Sequence, residues 1–142
     1  MEKDLNMNYN NVFRQVNTKL SKEDIMMLSP LQLAYIGDAV YELLIRTYLL
    51  NKDLNVNHLH KTTISFVKAK AQSELIHKVE PMLTDEEKHY VKKGRNAKTN
   101  SSPKNADILD YKYATGFECL IGYLYLSNQD MRLKEIFKAM ME

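Results

Sequence analysis

The sequence predicts an all-α protein, on three observations. Its apolar residues recur at the helical period, and no β-branched alternating run appears. Glycine and proline are scarce, at four and three residues. Ser or Thr precedes several of the apolar runs, where a helix N-cap belongs. With 142 residues and one composition throughout, a single domain over residues 1–142 is expected. A domain of about 150 residues buries roughly 70% of its unfolded surface, so a real core needs no covalent staple.

The elements follow in order. "LSKEDIMML" has Ser21 three residues before Asp24, a capping-box spacing that predicts a short helix. Ser29 and Pro30 then open a helix running to about Asn51. Its residues are apolar nearly all round, which predicts the central helix. A helical pattern over residues 57–79 is expected to break near Ser65 and to end before Pro81. Thr84 caps a charged helix, with Glu87 at the box position and Gly94 as its expected stop. Residues 95–105 read as a loop. "ADILDYKYATGFECLIGYLYL" predicts a second apolar helix, and residues 130–141 a final amphipathic one.

Several function classes fall away. The opening "MEKDLNMNYNN" lacks an apolar stretch, so no signal peptide is expected. Residues 31–50 are long enough to span a bilayer, but they carry Asp38, Glu42 and Arg46. Each charge at a bilayer centre costs about 2.5–3.5 kcal/mol, so no membrane association is expected. The single cysteine, Cys119, excludes an internal disulfide and a thiolate zinc cluster. That suits a reducing, cytoplasmic setting.

Chemistry concentrates in two acids. Asp38 lies in "LAYIGDAVYELLI" and Glu118 in "TGFECLIGYLYL". Acids are rarely buried unless paired, so each is expected to have a positive neighbour. Facing carboxylates repel unless something positive lies between them. A shared divalent cation is one answer, since Mg²⁺ takes one or two carboxylates plus water and phosphate oxygens. Separate neutralisation by Lys or Arg is the other. Glu42 has Arg46 at i+4 and reads as an ion pair. A di-iron reading rests on Glu74-x-x-His77 and Glu86-x-x-His89, but Pro81 and Thr84 place these on short adjacent segments. His58, His60, His77 and His89 therefore read as surface or boundary residues.

"KKGRNAK", residues 92–98, holds four cations and no acid, and Lys104 follows. Such a run can neutralise phosphates, with a salt slope of roughly −0.9 per phosphate on duplex DNA and a comparable dependence on RNA. A solvated helix end is the bland alternative. The run has no aromatic stacking residue, which suits duplex RNA, read through phosphates and 2′-hydroxyls, over single strands.

These residues carry a resemblance. "LAYIGDAVYELLI" resembles the signature segment of the ribonuclease III catalytic domain. "ATGFECLIGYLYL" is similar to that family's second acidic segment, and "HLHKTTISFVKAKAQSELI" to the helix between. The likeness spans about residues 27–140, and no double-stranded-RNA-binding domain is expected beside it. It is closest in form to the stand-alone catalytic domains of the Mini-ribonuclease III subfamily. The resemblance implies a helical endonuclease domain that forms a homodimer and cuts double-stranded RNA with Mg²⁺, or with Mn²⁺ in its place. It implies a role in maturing large-subunit (23S) ribosomal RNA precursors. It assigns Asp38 and Glu118 as catalytic, metal-binding residues. Lys92, Lys93, Arg95, Asn96, Lys98 and Lys104 would then hold the duplex. Two departures stand out: Ala34 and Thr115 occupy positions where the family usually has acids. Thr115 could still hold a water through its hydroxyl. The rival reading is a non-catalytic RNA-binding module on the same fold.

Overall fold

The computed structural model describes residues 12–98 and 107–142. Among them there are helices and no strands. After a 3₁₀ turn at Arg14–Val16, the α-helices are α1 (Lys22–Met27), α2 (Pro30–Leu49), α3 (Val56–Val67) and α4 (Ala69–Val79). A second 3₁₀ turn, Glu80–Met82, leads to α5 (Asp85–Arg95), α6 (Ile108–Leu126) and α7 (Asp130–Met141).

Local chemistry sets the helix starts. Ser21, Ser29 and Thr84 each accept the third helical N–H while that residue's side chain returns a bond to the cap's own N–H. These reciprocal bonds satisfy donors that the helix itself leaves orphaned. Asp107 caps α6 through the N–H groups of Leu109 and Asp110. The expected break near Ser65 falls at Lys68 instead, whose extended backbone separates α3 from α4. Gly94 does not stop α5. It lies inside the helix, buried, and no described glycine has a positive φ.

The central helix is α6, not α2. It packs most extensively on α2, then on α5 and α4, and is buried along most of its length from Ala114 to Leu124. The residues α2 buries are Leu33, Ala34, Gly37, Tyr41 and Ile45, while Leu31, Tyr35, Leu43 and Tyr48 remain exposed. Its apolar character all round therefore has two causes, a core face and an uncovered face.

Two glycines set the α2–α6 crossing. A Cβ on Gly37 would collide with the main-chain carbonyl of Glu118, and one on Gly122 with the carbonyl of Leu33. The backbones touch there, which only a missing side chain permits. One turn on, the Tyr41 ring meets Phe117 edge to face, 4.7 Å between centroids. Its hydroxyl donates to the Phe66 carbonyl at 2.9 Å, so a fully buried polar group is satisfied. Such aromatic pairs contribute about 0.5–1.5 kcal/mol beyond area burial.

A second close seam joins α5 to α6, where Gly94 faces the Gly116 Cα. The far end of α5 is tied to α7 by a buried carboxylate. Arg132 donates from Nε and Nη2 to the two oxygens of Glu87, each at 2.8 Å, and from Nη2 to the Met82 carbonyl. These bonds hold the Glu87 carboxyl below the usual carboxylate range, against the opposing effect of burial.

Candidate active site

The α2–α6 crossing builds the site. Gly37 lies against the backbone of Glu118, and Asp38 is the next residue. The two carboxylates thus become neighbours because two helices meet without side chains between them. Asp38 is exposed, contrary to its expected burial, and Glu118 is half-buried. The oily residues around Asp38 in sequence lie on other faces of α2, which is why sequence context misjudged it.

Glu118 carries the electrostatic signature. Burial disfavours its charged form, its protonated oxygen donates to Asp38, and the Asp38 charge repels a second anion. Together these push Glu118 up to about 8. Among the described residues neither acid forms an ion pair. The alternative of separate Lys or Arg partners is thus not realised there. Glu42, by contrast, does meet Arg46, at 3.5 Å.

This donor set fits a hard divalent cation. Two carboxylates converge with no ion-pair partner among the described residues, and one of them is exposed enough to leave room for water and phosphate oxygens. No group of three or more His, Cys, Asp or Glu side chains comes together among the described residues. The di-iron reading fails for that reason, and Glu74, His77, Glu86 and His89 are all exposed.

A pH prediction follows from Glu118. Below pH 4.5 the carboxyl is protonated in both folded and unfolded chains. Between about 4.5 and 8 the unfolded chain releases the proton and the folded chain keeps it. The stability from this group is full at low pH and is lost as pH rises to about 8. Glu118→Gln has no proton to lose. In chelator, its stability relative to the natural chain should climb between pH 5 and pH 8, as read by urea unfolding. Parallel stability curves would show that neither burial nor Asp38 holds the proton on Glu118.

The two departures from the family pattern lie one turn before each acid. Ala34 is buried and offers no donor atom. Thr115 is buried, and its hydroxyl donates to the Tyr111 carbonyl at 3.0 Å, leaving only lone pairs for a water.

The basic residues do not share one face. Lys92 and Arg95 line a cleft beside Tyr113. Lys93 leans the other way, 5.6 Å from the Tyr90 ring centre. Asn96 caps the C-terminus of α5 and Lys98 is exposed. Lys104 lies outside the described residues. Glu118 stands ten residues into α6, about 15 Å from its start. Gly94 of α5 lies against Thr115, Gly116 and Cys119, so the α5 end stands beside the turn of α6 that carries Glu118. Lys88 also lines the cleft and was missed in the sequence, although it sits four residues before Lys92.

A helical domain with paired acids at a glycine crossing is the frame of a ribonuclease III domain. The model of that family, the Ribonuclease III domain, matches residues 31–129, and the chain belongs to the ribonuclease III family, whose members are ribonucleases. A "Mini-ribonuclease 3" of Clostridium tetani is 57% identical over 84% of this chain and 81% of its own length. Another, from a Thermoanaerobacter species, is 52% identical over 86% of this chain and 87% of its own. Within the family, the chain stands among the Mini-ribonuclease 3 proteins. A crystal structure of a Fusobacterium nucleatum protein shares the fold at a TM-score of 0.73, with 35% identity over 78% of this chain and 90% of that one. No helix among the described residues is long and apolar enough to cross a membrane.

Proposed function

We propose that this chain is an endoribonuclease that cuts double-stranded RNA by Mg²⁺-dependent phosphodiester hydrolysis, with Mn²⁺ able to substitute. Its substrate is the precursor of 23S ribosomal RNA, processed in the cytoplasm by a homodimer of single-domain chains. The observation that carries the reading is the Asp38–Glu118 pair, two adjoining carboxylates that no cation among the described residues pairs with.

Asp38 and Glu118 would hold the ion. A divalent cation there supplies Lewis-acid activation of a phosphate and of the attacking water. The protein's own part is positional. The α2–α6 crossing fixes the carboxylate spacing, and exposed Asp38 presents the site to a duplex backbone. Ionised Glu118 is needed to bind the cation, so proton and cation compete for it and affinity for Mg²⁺ should rise with pH toward about 8. The exposed apolar face of α2, with Tyr35 83% and Leu43 64% accessible, supports the homodimer, because such a face is commonly an interaction surface.

The test is long duplex RNA incubated with pure protein, in Mg²⁺ or in chelator. Cutting in Mg²⁺ and none in chelator is expected. Binding without cutting would favour the non-catalytic module that Ala34 and Thr115 bring to mind, and neither would overturn the RNA reading altogether.

A further inference from the structure

A cleft of about 170 Å³ lies between α4, α5 and α6, away from the two carboxylates. Lys88, Lys92 and Arg95 line it, with Tyr113 and a single acid, Glu80. The spacing of four and three residues puts the cations on one face of α5. Among the described residues none of the three forms an ion pair. Arg95 is held in place. Its guanidinium carbon stands 5.7 Å from the Tyr113 ring centre, with Nη1 3.5 Å from the phenol oxygen. Tyr113 is braced from behind by His77, 4.3 Å between ring centres.

Three cations with one acid in a concavity are electrostatically incomplete, because like charges repel and no ion pair among the described residues balances them. A phosphate supplies the missing charge and accepts from ammonium, guanidinium and phenol alike. We infer that this cleft is a phosphate-binding subsite built from Lys88, Lys92, Arg95 and Tyr113. Its occupant is a backbone phosphate of the RNA, which rests on the proposed function above. Tyr113 precedes Glu118 by five residues, hence about 140° around α6 and about 7.5 Å along it. The phosphate gripped here is therefore not the one cut. The cleft anchors the duplex at a distance from the scissile bond. Lys93, turned toward Tyr90, is not part of it.

The experiment measures duplex RNA binding by the full chain in chelator between 50 and 200 mM KCl, with Lys88→Ala, Tyr113→Phe and the control Lys52→Ala. Lys88→Ala should flatten the salt slope by about 0.9 and weaken binding roughly three- to tenfold at 150 mM. In Mg²⁺ it should raise KM and leave kcat near normal. Tyr113→Phe should weaken binding about two- to threefold without changing the slope. The control should match the natural chain. An unchanged slope and affinity in Lys88→Ala would overturn an RNA occupant. A second arm titrates inorganic phosphate, followed by ³¹P line broadening. Broadening lost in Lys88→Ala supports a phosphate subsite even if RNA binding is unaffected, and assigns it to free phosphate. No loss in either arm overturns the subsite. If the natural chain neither binds nor cuts duplex RNA, the proposed function fails, and the phosphate arm alone decides the cleft.

Discussion

Asp38→Asn and Glu118→Gln are each expected to slow duplex RNA cleavage by about a thousandfold or more in Mg²⁺. Each exchange keeps the side-chain shape and removes one charge from a two-carboxylate donor set. Losing several kcal/mol of cation-derived stabilisation corresponds to that factor, at about 1.4 kcal/mol per tenfold. The fold should survive both. Asp38 is exposed, and Glu118→Gln relieves a repulsion within a half-buried site. Far-ultraviolet circular dichroism should match the natural chain. If either variant cut RNA at near-normal rate, the carboxylates would not be the reacting centre.

Gly37→Val is expected to carry the largest stability cost. A Cβ there meets the Glu118 carbonyl, a main-chain atom that no rotamer can move aside. Overpacking ordinarily costs about 1–3 kcal/mol, and a backbone collision lies at or beyond the upper end. For a chain of this size, 3 kcal/mol lowers Tm by roughly 10 °C. Activity should fall by more than the folded fraction does, because α2 must move off Glu118 and take Asp38 with it. Wild-type Tm and cleavage in this variant would mean that the helices do not meet as described.

The sequence showed helix starts well and helix packing poorly. Ser21, Ser29 and Thr84 were readable because capping is a bond between residues three apart. Gly94 was misjudged as a stop because a glycine near a helix end has two uses. Here it admits a neighbouring helix rather than turning the chain. Periodicity could not tell the core face of α2 from its uncovered face, since both are apolar. The acids were visible as residue types in odd company. Their adjacency is a tertiary fact carried by Gly37, and nothing local announces it. Lys88 escaped notice because its sequence neighbours are acidic, while its spatial neighbours are Lys92 and Arg95.

All four glycines of the chain sit at helix crossings, and the only described residue with a left-handed backbone is Asn128. The spacing of the proposed cutting pair is thereby written in main chain, which point changes on the periphery cannot easily redraw. The proposed grip, by contrast, rests on long cationic side chains at the end of α5. On that proposal, affinity for RNA would drift under mutation residue by residue while the carboxylate pair keeps its spacing.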